Sequence, residues 1–130
     1  MVDLQSRRRF VRGLYRIRSG ELLARERTLA KAYAIEYAEG VRDDFKVLPA
    51  RARREIADAI DEQLHHVPTR ATRNRKPLPG FRPPWEHRPP LWELRVRQYR
   101  VYYDVDKEAA LVTIRAVRRK PPHRTTEEIV

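Results

Sequence analysis

Leu91-Trp92-Glu93-Leu94-Arg95-Val96-Arg97-Gln98-Tyr99-Arg100-Val101-Tyr102-Tyr103-Asp104-Val105 is the stretch that decides the fold. Apolar and polar residues alternate on both sides of Arg97-Gln98, which is the pattern of two half-buried strands joined by a tight turn. With Arg97-Gln98 as a two-residue turn, Val96 pairs with Tyr99 and the remaining register follows. Trp92, Leu94 and Val96 then share the core face with Tyr99, Val101, Tyr103 and Val105. The opposite face carries Glu93, Arg95, Arg100, Tyr102 and Asp104, with Arg95 opposite Arg100 and Glu93 opposite Tyr102. A slip of one residue would turn Trp92 and Leu94 outward, so the apolar pattern holds the register in place.

Downstream, Leu111 to Val117 alternates in the same way and completes an antiparallel three-stranded meander. A turn over Asp106 to Ala109 pairs Val105 with Ala110, brings Val112, Ile114 and Ala116 into the core, and sets Arg115 opposite Arg100. Three arginines would then lie in one row across three strands. Like charges directly opposite destabilise a sheet by up to about 1 kcal/mol per pair. Either Glu93, Asp104 or Glu86 neutralises the row, or an anion such as a phosphate backbone completes it, with the Tyr102 ring beside it to stack a base.

Upstream, Tyr33, Ile35 and Tyr37 alternate with Ala34, Glu36 and Ala38, a strand that Gly40 breaks. Val41, Phe45 and Leu48 recur at helical spacing up to Pro49, and a second helix runs from Ala50 to about His66 with Ile56, Ile60, Leu64 and Val67 as its apolar stripe. This helical hairpin can cover one face of a sheet. Strand, hairpin and meander together predict an α+β domain over 32–120. Within it, 68–90 is a Pro/Arg-rich loop that can be neither regular helix nor interior strand, and loops of that length are usually functional or disordered. The last ten residues, 121–130, read as a tail. Residues 1–31 form a basic, helical N-terminal extension in which Phe10, Leu14 and Ile17 make a stripe opposite Arg7, Arg8, Arg9, Arg12, Arg16 and Arg18. That extension is either an arm for nucleic acid, anionic lipid or a partner, or a solvated helix packed on the domain, or the product of an upstream start codon.

The chain carries 29 Lys and Arg against 18 acidic residues, a net charge of +11 and a pI of 10.6, and only five of its cations are lysine. Arginine suits bidentate phosphate recognition, although a GC-rich genome would also raise the share of arginine. The excess of positive charge favours an anionic partner under either explanation. Without cysteine there is no disulfide, thiolate ligand or thiol nucleophile. No apolar run approaches the roughly 20 residues of a membrane span, and no apolar block follows the N-terminal arginines to make a secretory signal. The expectation is a soluble, cytoplasmic protein with no membrane partner. The four histidines show no ligand spacing, so no metal or cofactor is expected.

The strand and helical hairpin followed by Leu91 to Val105 resemble the RelE/ParE toxins of type II toxin–antitoxin systems, whose pattern is aromatic, charged residue, Leu-Arg-Val, a turn, then Tyr-Arg-Val-hydrophobic-Tyr. The resemblance spans about residues 33 to 120. It implies either a RelE-like toxin that cuts mRNA in the ribosomal A site or a ParE-like poison of DNA gyrase, each neutralised by a cognate acidic antitoxin. A third possibility is a relative that binds nucleic acid or a partner without catalysis. By the resemblance, Arg100 matches the strand arginine that stabilises phosphate and Arg95 a basic residue on the preceding strand. Glu93 stands where a basic residue often sits, and Arg118, Arg119 and Lys120 follow the last strand where family members carry another cation. The tail Lys120-Pro121-Pro122-His123-Arg124 lacks the C-terminal tyrosine of RelE itself. RNA cleavage would be metal-independent attack of a ribose 2′-hydroxyl on the adjacent phosphate. The catalytic candidates are Arg100, Arg95, Glu93, Lys120 and His123, with Glu86 and His87 as further base and acid. The RNA-binding candidates are Arg95, Arg97, Arg100, Tyr102, Arg115, Arg118 and Arg119.

Overall fold

The computed structural model describes residues 32–130; the N-terminal extension expected over 1–31 lies outside the described residues. Five strands form one sheet: β1 (Ala34–Tyr37), β2 (Arg75–Leu78), β3 (Leu91–Val96), β4 (Tyr99–Asp106) and β5 (Leu111–Arg119), in the order β1-β5-β4-β3-β2. β1 runs parallel to β5 and every other pairing is antiparallel. The two helices of the hairpin are α1 (Val41–Lys46) and α2 (Ala50–Leu64), and a short α3 (Thr126–Ile129) ends the chain.

The decisive stretch folds in the expected register. Val96 pairs with Tyr99, Arg95 with Arg100, Glu93 with Tyr102 and Trp92 with Tyr103. The residues assigned to the inner face line the main core, where Trp92, Leu94, Tyr99, Val101 and Tyr103 pack with Val96 and Val105. α2 lays Ala52, Ile56, Ile60 and Leu64 on this face. The three larger residues of that stripe have no exposed surface, and burying each contributes about 2 kcal/mol. Gly40 takes a left-handed φ of 97° where the chain turns from β1 into α1, and Pro49 stands at the start of α2.

The meander is part of a larger sheet than the sequence suggests. β2 comes from within the Pro/Arg-rich stretch and contains Pro77, which pairs with Trp92. Proline is tolerated because β2 is an edge strand. Arg75, at its start, turns its guanidinium to the end of α2, donating to the carbonyl of Gln63 in the last turn (2.7 Å) and to that of Val67 beyond it (3.2 Å).

The β4–β5 pairing differs from the expected one. Val105 pairs with Val112 and not with Ala110, because the turn falls on Lys107–Ala110. A shift of two residues preserves the faces of Val112 and Ile114. A bulge between Tyr102 and Tyr103 then adds one residue on β5. Arg118 therefore stands opposite Arg100, Val117 joins the main core, and Ala116 turns to the other face.

That other face is not open along its whole length. Leu91, Tyr102 and Ala116 form a second buried cluster beneath Leu78, Phe81, Trp85 and Val130. Trp85 packs on Tyr102 with ring centroids 5.7 Å apart. The Pro-rich loop is anchored by the buried Asp104 carboxylate, which accepts the Arg88 backbone N–H at 2.8 Å and both Nε (2.7 Å) and a terminal nitrogen (3.3 Å) of Arg115. Arg115 is thus committed to a carboxylate. Removing that carboxylate should lower stability by about 3 kcal/mol, so the urea midpoint of Asp104→Ala should fall clearly; an unchanged midpoint would contradict the anchor.

Two buried tyrosines make the fold sensitive to alkali. The Tyr103 hydroxyl donates to the Pro68 carbonyl at 2.7 Å, and burial lifts its pKa above the ordinary 10.0. Burial, reinforced by the Glu93 carboxylate, does the same for Tyr102. Both groups stay protonated in the folded chain while the unfolded chain ionises near pH 10, so their stabilisation is complete below that pH and is lost as pH rises beyond it. Tyr103→Phe should cost about 1 kcal/mol at neutral pH and make the decline above pH 10 shallower in chemical denaturation. An alkaline limb as steep as that of the parent would count against this origin.

Candidate functional site

The polar face between β2 and the β3–β4 turn is built from the register. Arg97 takes a left-handed φ of 55° at the turn. One terminal nitrogen of Arg100 reaches back to the carbonyls of Arg97 (2.9 Å) and Tyr99 (2.8 Å), leaving Arg100 only 8% exposed. Beyond β5, the Lys120 N–H donates to the Gln98 carbonyl at 2.6 Å and brings the chain end alongside the same turn. On the opposite side, the Arg95 N–H donates to the Asn74 carbonyl at 2.7 Å and ties the segment before β2 to β3.

Between these ties lies a pocket of about 140 Å³ lined by Thr72, Arg73, Asn74, Arg75, Lys76, Glu93, Arg95, Arg100, Lys120 and Thr126. Its buried carboxylate is Glu93, whose Oε2 accepts from the hydroxyls of Tyr102 (2.9 Å) and Thr126 (2.7 Å). Its Oε1 stands 3.8 Å from Lys76 Nζ. The Tyr102 hydroxyl, raised by burial and by the Glu93 charge, is a lasting proton donor to that carboxylate. The side chains of Arg73, Arg95 and Lys120 make no ion pair or hydrogen bond within the described residues. Positive charge in the pocket therefore exceeds the single negative charge that faces it, which is the requirement for holding an anion.

The structure brings Glu93, Arg95, Arg100 and Lys120 together, and sets the other sequence candidates elsewhere. Tyr102 has no exposed surface, so its ring is not free to stack a base; the ring lies beneath Trp85. Arg115 is held by Asp104, as described. Arg118 completes the row opposite Arg100, but its guanidinium bonds to Asp44 at 3.0 Å and lies over Trp85, 5.2 Å from the ring centre. The same Asp44 carboxylate accepts the Val117 N–H and so covers the β5 edge beyond the short β1. Arg97 pairs with Glu55 of α2, and Arg119 pairs in register with core-facing Tyr99, which places both away from the pocket. His123, Glu86 and His87 do not line the pocket, and His123 lies in an exposed turn with a φ of 69°. His65, at the end of α2, bonds through Nδ1 to the Tyr33 carbonyl.

Six pocket residues do not stand out in the sequence: Thr72, Arg73, Asn74, Arg75, Lys76 and Thr126. The first five lie in a Pro/Arg-rich segment without periodicity. Thr126 had a readable signal, since Thr125 to Glu128 has the spacing of a capping box, which the structure forms at the start of α3. Among the described residues there is no group of three or more histidines or carboxylates that could hold a metal, and no helix long and apolar enough to cross a membrane.

Residues 35–120 match the family described as the ParE toxin of the type II toxin–antitoxin system parDE. The fold is similar to that of RelE in the archaeal RelE–RelB complex from Pyrococcus horikoshii, with a TM-score of 0.55 and 22% identity over 72% of this chain and 99% of that one. It is similar to the toxin–antitoxin complex RelBE2 from Mycobacterium tuberculosis, with a TM-score of 0.54 and 25% identity over 68% and 92% of the two chains. The isolated Escherichia coli RelE toxin gives a TM-score of 0.52 and 19% identity over 74% and 90%. Comparison with curated proteins gives no match. The family match over 35–120, with the fold similarity beside it, leads to one conclusion: the chain belongs to the RelE/ParE superfamily of toxins of type II toxin–antitoxin systems.

Proposed function

We propose that this toxin stops translation by cutting messenger RNA on the ribosome, and that an acidic antitoxin, laying a helix or strand across the basic face, neutralises it. The observation that carries this reading is the meeting of Arg95, Arg100 and Lys120 with the Glu93 carboxylate in one pocket. Glu93 takes the proton of a ribose 2′-hydroxyl as that oxygen bonds to the adjacent phosphorus. The bond from phosphorus to the 5′-oxygen breaks, and Lys120 returns a proton to the leaving oxygen. The products are a 2′,3′-cyclic phosphate and a free 5′-hydroxyl. Arg95 and Arg100 hold the non-bridging oxygens, where negative charge grows in the transition state.

The match to the ParE description favours a second reading, inhibition of DNA gyrase, in which the same cations would contact a protein or DNA. A translating extract separates the two. With a defined message, primer extension should show new 5′ ends only when ribosomes are translating, and Arg95→Ala should reduce cleavage on the order of 100-fold. Glu93→Gln should reduce it further at neutral pH with little loss of RNA binding. Intact message together with blocked supercoiling by purified gyrase would overturn the ribonuclease reading in favour of the second.

A further inference from the structure

We infer that Thr126 is a positioning residue for the proton transfer: it holds the Glu93 carboxylate so that Oε1, and not Oε2, takes the proton of the ribose 2′-hydroxyl. The inference rests on the ribonuclease reading above and adds to it which oxygen reacts and what fixes it. A general base contributes only when its reacting lone pair is aimed at the proton it removes, so a carboxylate on a flexible stem has to be held.

Glu93 stands on β3, 5% exposed, opposite Tyr102 of β4. A carboxylate so buried needs donors, and two hydroxyls supply them, Tyr102 at 2.9 Å and Thr126 at 2.7 Å. Both donate to Oε2. Oε1 accepts no hydrogen bond within the described residues and has the Lys76 ammonium 3.8 Å away. A buried carboxylate that serves only the fold is best satisfied at both of its oxygens. Two donors on one oxygen instead fix the carboxylate and leave the lone pairs of the other free, in a pocket that Arg95, Arg100 and Lys120 also line.

The two hydroxyls reach Glu93 by different routes. Tyr102 comes from the neighbouring strand with its ring beneath Trp85, and burial keeps its hydroxyl protonated. Thr126 comes from the chain end, which the Lys120 N–H ties to the Gln98 carbonyl. The reciprocal bonds of Thr125 and Glu128 close the first turn of α3, and Val130 packs against the cluster of Leu91, Tyr102 and Ala116. Held at both ends, α3 bonds to the sheet through the Thr126 hydroxyl, and the group it meets there is the base. The tail is thereby part of the site.

The test is single-turnover cleavage of a defined message on programmed ribosomes by the full chain, followed against toxin concentration. Thr126→Val, which removes the donor and keeps the shape, should lower the maximal rate on the order of tenfold and leave the half-saturating concentration within about twofold. Thr126→Ser, which restores the hydroxyl, should recover the wild-type rate within about twofold. In a Glu93→Gln background, Thr126→Val should change the rate by less than about twofold, because a residue that acts through the carboxylate has no effect without it. An unchanged or raised maximal rate in Thr126→Val would overturn this inference alone. So would an equal fall in Thr126→Ser, or an undiminished fall in the Glu93→Gln background. Absence of cleavage by wild type would overturn the nuclease reading and this inference together.

Discussion

The pairing of Val96 with Tyr99 across the Arg97-Gln98 turn is the constraint on which everything else in this molecule depends. Side chains alternate along a strand, so that single pairing sorts β3 and β4 into an apolar set beneath α2 and a polar set on the reverse. Large side chains enforce the choice. Trp92, Leu94, Val101 and Tyr103 are all within 6% of complete burial, and a slip of one residue would exchange them for Glu93, Arg95, Arg100 and Tyr102. Exposing that much apolar surface while burying that many charges is prohibitive.

On the reverse face, two buried carboxylates organise an excess of cations. Asp104 takes Arg115 and holds the Pro-rich loop, and Glu93 takes Lys76 together with two hydroxyls. Arg118 is absorbed by Asp44 and Arg100 by carbonyls of its own turn. After these pairings, Arg73, Arg95 and Lys120 are left on the pocket wall without a protein partner among the described residues. A charge surplus spread over the whole chain is thereby concentrated at one place. The positive surplus of the pocket is the remainder of this local accounting, which explains why net charge indicates it only in outline.

The sequence made the meander, the helical hairpin and the β3–β4 faces legible, because each rests on a clean hydrophobic period over six or more residues. It lost the β4–β5 register, since a bulge leaves no mark in an alternating pattern and the turn at Lys107–Ala110 contains no glycine or proline to place it. That error put Arg115 in a row that Arg118 occupies. It lost β2 because four residues with a central proline show neither alternation nor strand propensity; only the free edge of β3 draws them into the sheet. The Tyr102 ring looks available in the sequence because its strand position faces away from the helices. The Phe81 and Trp85 side chains that cover it come from the loop, where no periodicity announces them.

The central claim is that phosphate is received in this pocket by Arg95 and Arg100, with the Lys120 charge beside them. The salt dependence of binding to a short single-stranded RNA measures this most directly, because each neutralised phosphate contributes about 0.7 to the slope of log affinity against log salt. Arg95→Ala and Lys120→Ala should each lower that slope by about one such increment, while Arg119→Ala, on the opposite face, leaves it unchanged. Slopes that stay equal in all three variants would contradict the claim.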